Sequence, residues 1–415
     1  MANPTPTLLG ALRSTLGLQV LGEPAGNLTL GKGVLEGRPV RVALIENRIA
    51  SGSIGKSEAA KLLPMLAVCG REKSPLVLYL DSAGARVSEG LDALGAFRRL
   101  FREALATAVA GAPLAVLLGR NCFGGASMLA HLGARRLFSP NTQLAMSGPS
   151  ILASMAGASI LDEMFRAIVD ATIGPAARAK ACAANAVWSP RTDLAAWLRE
   201  ALAPPEGPWR AFHARHQVLR ERLEKGLTTR PLESVRRKDL DRLYPEGYDV
   251  REQEGILAGT ARRAGADVAL LGLVGSTNVG AERAWRFAQA AWQHAREAPG
   301  RLDVLLDCES HAARLEDEKI VLTEYIVDMG LALSAAAARG TEVNLTVLDR
   351  AGGGVYVALA AAATRVAAVY GADIQVLPGS AMASILGANR EAVGDILEYR
   401  KAGVADDEIK LGLPP

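Results

Sequence analysis

The stretch Pro113–Ala130, PLAVLLGRNCFGGASMLA, decides how this chain is read. Leu114–Leu118 is a short continuous apolar run, the pattern of a strand covered on both faces. Cys122-Phe123-Gly124-Gly125 reads as a glycine turn, and a helix is expected from Ala126 onward. A strand that feeds a helix through two glycines leaves backbone N–H groups at the helix start without an intrahelical partner. Paired N–H groups of that kind suit an oxygen on which negative charge develops. Gly124 and Gly125 also lack a Cβ, so a carbonyl oxygen can approach the backbone closely. Plain helix–strand packing uses glycine too, so one such turn does not decide the matter.

The turn has a counterpart. Asn344–Ala360, NLTVLDRAGGGVYVALA, again runs from an apolar strand through Gly352-Gly353-Gly354 into a helix. Ser51–Gly55 resembles Gly275–Gly280, and a helix follows each, Glu58–Cys69 and Glu282–Arg296. Leu76–Asp81 parallels Leu302–Asp307, and the helix Leu94–Val109 parallels Lys319–Arg339. The matching pieces lie roughly 226 to 229 positions apart, which marks a duplication of whole domains and not a short-period solenoid. Alternating strands and helices predict an α/β fold with mostly parallel sheets and right-handed crossovers.

Local expectations follow. Val34–Glu46 reads as a hairpin around Glu36-Gly37. Ser57 is expected to cap the helix Glu58–Cys69, and Pro64 to kink it. Arg98, Arg99 and Arg102 are placed outward on Leu94–Val109, and Arg86 is expected to pair with Glu89. Val366–Tyr370 and Asp373–Leu377 read as the last strands, closed by Pro378-Gly379. Residues 191–254 carry several prolines and two basic runs, Arg215–Lys225 and Arg230–Arg242. They read as a linker with one exposed helix, Trp209–Leu227. That helix is either a solvated connector or a docking surface for an acidic carrier domain or a nucleotide phosphate. The expected domains are therefore 1–190 and 255–415, joined by 191–254.

Composition narrows the function classes. Of 415 residues, 49% are hydrophobic, enough for real cores, and the formal net charge of +3 makes no general case for nucleic-acid binding. Cys69, Cys122, Cys182 and Cys308 are scattered without a CxxC pair, so neither a disulfide framework nor a zinc ribbon is indicated, and a reducing cytoplasm is expected. The N-terminus lacks the pattern of a signal peptide, and no apolar run approaches the ~20 residues of a membrane span. Cys122 has no partnering histidine nearby in sequence and reads as an inert buried thiol.

Two oxyanion pockets in a duplicated chain suit a substrate with two carbonyl groups, such as a malonyl thioester. Its decarboxylation develops enolate charge on the thioester oxygen, and each well-placed donor there supplies ~3 kcal/mol. No metal, flavin or covalent nucleophile is needed for that step. His311, just after a strand end, could hand a proton to the carbanion, or be a plain loop histidine; Glu309 is a similar candidate.

Asp81–Gly90, DSAGARVSEG, resembles the DSxGAR…EG segment of acyl-CoA carboxyltransferases. Gly119–Ala130, followed by MSGP at Met146–Pro149, resembles the beta subunit of biotin-independent malonate decarboxylase, and about Leu271 to Val393 resembles its gamma subunit. The resemblance implies two tandem crotonase-like domains, each a ββα superhelix. It implies a malonyl thioester on an acyl carrier protein or coenzyme A, no bound cofactor, and decarboxylation to the acetyl thioester. It further implies a homo-oligomer, a dimer. Gly124 with Gly125 would form one oxyanion pair and Gly353 with Gly354 the other. Ser82, Gly84, Ala85, Cys122, Phe123, Ser147, Gly148 and Pro149 would line the first pocket. Asp307-Cys308-Glu309-Ser310-His311 stands where the gamma subunit has a Pro-Gly turn. Two other readings stay open: a carboxyltransferase that uses biotin or another acceptor, and a non-catalytic protein that binds an acyl carrier.

Overall fold

A computed structural model describes residues 7–157, 162–205, 207–226, 237–253, 255–275, 277–297, 299–377 and 394–411. The expected Pro378-Gly379 turn, Ser276 and residues 230–236 of the second basic run lie outside the described residues. The chain forms two sheets in tandem, the α/β fold expected from the alternation of strands and helices.

The first sheet has the order β1 (Gln19–Val20), β2 (Leu28–Leu35), β3 (Arg38–Ile45), β4 (Leu76–Ser82), β5 (Leu114–Phe123), β6 (Arg135–Phe138), β8 (Asn185–Val187); β7 (Gln143–Ala145) pairs with the end of β5. β3, β4, β5, β6 and β8 run parallel. The β2–β3 hairpin turns at Glu36 and Gly37, both at positive φ, as two-residue hairpins require. Leu76–Leu80 and Leu114–Leu118 are buried throughout, which is why they read as continuous apolar runs.

The second sheet runs β17 (Asp407–Ile409), β15 (Arg365–Val369), β13 (Glu342–Val347), β12 (Arg301–Leu306), β11 (Ala266–Leu273), β10 (Ile256–Arg263), β9 (Tyr248–Gln253). β14 (Arg350–Gly352) and β16 (Asp373–Gln375) form a separate parallel pair. The repeat is thus strand for strand: an antiparallel hairpin enters each sheet, and parallel strands follow.

The helices that matter below are α1 (Leu8–Leu16), α2 (Lys56–Glu72), α3 (Leu91–Val109), α4 (Gly124–Ala130), α5 (Pro149–Met155), α6 (Glu163–Ile173), α7 (Pro175–Ala181), α8 (Leu194–Ala201), α9 (Pro208–Glu224), α10 (Arg237–Leu243), α11 (Ala281–Arg296), α12 (Leu315–Lys319), α13 (Leu322–Ala338) and α14 (Gly353–Ala362). By contacts the chain divides into one unit of Met1–Arg86, Ala106–Ala211 and Ala313–Thr323, and another of Val87–Leu105, Phe212–Ala312 and Glu324–Pro415.

Several local expectations are corrected. Pro64 lies within an unbroken α2; it and Ala60 are exposed, so the carbonyl freed by the missing N–H faces solvent. Gly55, not Ser57, is the N-cap, and Glu58 reaches back to the Gly55 N–H. Arg86 pairs with Glu58. Arg98 is buried, not outward, and donates to the carbonyls of Ala360, Gly403 and Val404; Arg102 is exposed as expected but also donates to those of Ala361 and Ala363. The Ala360, Ala361 and Ala363 carbonyls lie at and just past the C-terminal end of α14, where the helix dipole favours cations. Arg99 donates to Ala402 O. The long helix expected over Lys319–Arg339 is α13, Leu322–Ala338; the shorter α12 precedes it across Val321, whose φ is +68°.

Residues 191–254 do not stand apart as a linker. Leu194, Leu198 and Ala201 of α8 belong to the first core with Leu8, Leu12 and Leu16 of α1. α9 buries His216 and Leu219, and β9 is an integral strand of the second sheet.

Candidate active site

In the first unit, β5 does two things in succession. Ala115–Leu118 pair with β6, but Asn121–Phe123 pair with β7. The switch carries the end of β5 alongside β7 and sets Met146 O 3.1 Å from the Gly124 nitrogen, which donates to it. Gly124 then turns the chain into α4 at φ +52°. A side chain would be strained there, so the glycine serves the turn itself.

This corrects the expected donor pair. The Gly124 N–H is spent on Met146 O. The N–H groups of Gly125 and Ala126, second and third in α4, lie ahead of the first i→i−4 bond of the helix. Gly125 is partly exposed and able to donate to an incoming oxygen, whereas Ala126 is buried directly behind it. Gly84 packs on this spot. A Cβ on it would come within 2.7 Å of Phe123 O and 3.2 Å of the Gly125 nitrogen.

The residues assigned to the first pocket do gather around the turn, at two depths. Ala85, Phe123, Gly124, Gly125, Gly148 and Pro149 are partly exposed, and Gly148 lies against the Phe123 ring. Ser82, Cys122 and Ser147 are completely buried behind them. Ser82 Oγ accepts from Gly84 N at 3.1 Å and so shapes the DSAG loop. Burial, with Asp81 adding to it, pushes the Cys122 thiol well above its ordinary range, as an inert thiol requires.

Behind Ser147 stands a pair that sequence reasoning missed. Glu318 Oε1 accepts from Ser147 N at 2.9 Å, and its other oxygen lies 3.1 Å from Arg178 Nη2. Arg178 also donates to Leu144 O at 2.7 Å and to Glu318 O. Both side chains are fully buried. Burial lifts the Glu318 carboxyl to about 6, against the opposing pull of Arg178 and the Ser147 N–H. The pair holds β7 and the Ser147–Pro149 segment, whose Met146 carbonyl takes the Gly124 N–H. Only the acid and base character of positions 178 and 318 is visible in the sequence; their pairing spans 140 positions.

The second unit repeats the backbone with different side chains. In the first, Ile54 donates to Gly84 O and accepts from Arg86 N; in the second, Val279 donates to Ser310 O and accepts from Ala312 N. Ile54 bridges Ala85 as Val279 bridges His311. Ser310 and His311 therefore occupy the places of Gly84 and Ala85. Gly353 turns into α14 at φ +55°, as Gly124 does into α4. A Cβ on Gly353 would stand 2.3 Å from Ser310 Oγ and 3.2 Å from His311 Nδ1. The structure thus brings His311 to Gly353 as expected, but Ser310 covers the turn, and Gly352, Gly353 and Gly354 are all buried. Burial lowers the His311 pKa to about 4, so the imidazole is neutral near pH 7. Its Nδ1 lies 3.1 Å from Ser310 Oγ. Glu309 points away to Arg350 at 3.3 Å. No group of three or more potential metal ligands occurs among the described residues.

Residues 7–168 match the carboxyl transferase domain family. That range contains β5, the glycine turn and the Ser147–Pro149 segment. The chain is 27% identical over 149 residues to the methylmalonyl-CoA carboxyltransferase 12S subunit of Propionibacterium freudenreichii subsp. shermanii, covering 36% of this chain but only 28% of that subunit. It is 26% identical over 425 residues to the biotin-dependent acetyl-/propionyl-coenzyme A carboxylase beta5 subunit of Mycobacterium leprae, covering 95% of this chain and 74% of the relative. Among solved structures, a chain of a Pseudomonas malonate decarboxylase hetero-tetramer in complex with malonate aligns with a TM-score of 0.46 and 20% identity, over 55% of this chain and 94% of that one. The fold is mixed α/β in two tandem sheets, and the first of them lies largely within the segment that matches the carboxyl transferase domain.

Proposed function

We propose that the chain is an enzyme of carboxyl-group transfer on an acyl thioester, with the enolate oxygen received by the N–H group of Gly125. The observation that carries this reading is the half-open glycine turn of the first unit, inside the segment that matches the carboxyl transferase domain. The bond between the α-carbon and the carboxyl group breaks, its electron pair passes to the thioester as an enolate, and the Gly125 amide stabilises the charge on oxygen. The acceptor nitrogen then bonds to the released carboxyl carbon and gives up its proton, which passes to the enolate carbon. The relatives' names favour transfer between a coenzyme A thioester and a biotin-linked acceptor, so coenzyme A is the carrier proposed first, ahead of an acyl carrier protein.

Decarboxylation of a malonyl thioester is the second reading. It shares the enolate and differs in the last step, where carbon dioxide departs free and the enolate carbon takes its proton from water or a protein group. The feature that favours it is in the second unit: Ser310 covers the Gly353 turn, and a neutral imidazole stands beside it. That turn is ill suited to polarise a second carbonyl, and decarboxylation needs only one enolate oxygen held. The protein is expected to act in the cytoplasm and as an oligomer.

The test is to incubate the purified protein with malonyl- and methylmalonyl-coenzyme A and follow the thioester mass, with and without biotin. Loss of the carboxyl group only when biotin is present supports transfer. Loss without biotin supports decarboxylation. Binding without turnover under either condition would overturn both and leave the third expectation, a thioester-binding protein.

A further inference from the structure

The second unit holds a polar hollow of about 310 Å³ that the thioester chemistry does not use. It is lined by His213, His216 and Gln217 of α9 and by Gln289, Trp292, Gln293 and Arg296 of α11. His216 is built into it with unusual care. Its Nδ1 lies 2.5 Å from Asp328 Oδ2, and the other oxygen of Asp328 accepts from Trp292 Nε1 at 3.1 Å. The ring stacks on Trp285 at 5.0 Å with the planes 2° apart, and Trp285 Nε1 donates to His216 O at 3.1 Å. A carboxylate on Nδ1 fixes the proton there and leaves Nε2 as an acceptor. That Nε2 is buried and has no hydrogen-bond partner among the described residues. A buried acceptor left unmatched costs free energy, so a donor belongs opposite it.

The charge of the hollow points to the rest of the ligand. Arg296 is exposed and donates one N–H to His213 Nδ1 at 3.2 Å, and no carboxylate lies within ion-pair distance of it among the described residues. Burial, then Arg296 itself, lowers the pKa of His213, so His213 adds no charge near neutral pH. Asp328 lies behind the lining, with both oxygens engaged by His216 and Trp292. The hollow therefore presents one guanidinium, four uncharged amide or imidazole groups and an indole wall, and His216, with its Nε2 buried and unpartnered among the described residues, stands in that wall.

We propose that this hollow binds a small organic carboxylate that also carries a hydroxyl group. Arg296 receives the carboxylate, for which its planar fork is matched. The hydroxyl donates to His216 Nε2, and Trp292 covers the carbon body. The inference rests on the second unit alone and does not depend on the reaction proposed above.

L-Malate, succinate and inorganic phosphate are the probes. Trp285 and Trp292 report occupancy through their fluorescence, and the melting temperature reports it independently. L-Malate is expected to bind saturably in the millimolar range or below, and about tenfold more tightly than succinate, which lacks the hydroxyl. Arg296→Gln, an exposed substitution that leaves the core intact, is expected to weaken malate about tenfold. Malate binding no tighter than succinate would remove His216 from the site. Phosphate binding as well as malate, or an Arg296→Gln variant with unchanged affinity, would overturn the assignment. No saturable change with any of the three would also overturn it and leave Nε2 to a trapped water.

Discussion

Removing the Glu318 carboxylate should expose how much of the first-unit turn depends on a pair buried behind it. Glu318→Ala strands the Arg178 guanidinium, which has no exposed surface, and takes the acceptor from Ser147 N. Breaking a buried ion pair from one side typically costs about 3–5 kcal/mol, much of it the unmatched charge left behind. A natural domain has only about 5–15 kcal/mol in hand, so the loss is a large fraction of the total. Glu318→Gln keeps an oxygen for Ser147 N but turns an amide toward the guanidinium, and should cost about 2 kcal/mol. The double variant Arg178→Met/Glu318→Leu removes both charges, and is expected to be more stable than Glu318→Ala by about 2 kcal/mol or more. Urea unfolding of the four proteins measures this. A Glu318→Ala variant within about 1 kcal/mol of wild type, or a double variant no better than the single, would refute the reasoning. The carboxyl also titrates near the working range. Its raised value of about 6 means that it is ionised above that pH and gains a proton below it. Turnover by the wild type should therefore fall as pH drops through about 6, and Glu318→Gln should lack that limb.

Three further outcomes can be checked. Gly84→Ala places a methyl group 2.7 Å from Phe123 O at φ +96°, and should cost about 2 kcal/mol in stability and about a hundredfold in turnover; a variant with the full rate would remove the Gly125 amide from the reaction. His311 is neutral in the fold down to about pH 4, whereas the unfolded chain protonates it at its ordinary 6.5. Acid therefore favours the unfolded state between those values, by about 2 kcal/mol at pH 5 relative to pH 7, and His311→Asn should lose that share of the pH dependence in urea melts at the two pH values. Cys69, Cys122 and Cys308 have no exposed surface, and burial raises the pKa of all three, while Cys182 is partly exposed. Brief treatment of the native protein with a maleimide should label Cys182 alone; peptide mapping that finds Cys122 labelled at a similar rate would contradict the packing of β5.

What the sequence revealed, and what it hid, follows from the range of the interactions. The continuous apolar runs at Leu76–Leu80 and Leu114–Leu118, the Glu36-Gly37 hairpin and the paired glycine turns are local patterns, and all appear where expected. The use of each N–H is not local. That Gly124 gives its proton to Met146 O depends on β5 leaving β6 for β7, which no run of residues announces. Arg98 reads as part of the outward face of an amphipathic helix because arginine periodicity is the same whether the partner is water or a set of carbonyls. Glu58 and Glu318 are ordinary acids in the sequence, and become anchors only when partners 28 and 140 positions away arrive. Within 191–254 the helix over Trp209–Leu227 is legible, but the prolines and charges mask the burial of Leu194, Leu198 and Leu219.

The correspondence of Gly84 with Ser310 means that the chain carries its own control experiment. Here one copy has a bare α-carbon and a methyl group against its turn, and the other has a hydroxymethyl group and an imidazole in the same two places. The pair Ser310→Gly and His311→Ala would therefore write the first arrangement into the second copy, on a backbone that already has its shape. Gly84→Ser with Ala85→His would write the second into the first. A protein with two turns of one shape thus lets the same exchange be run both ways in a single molecule.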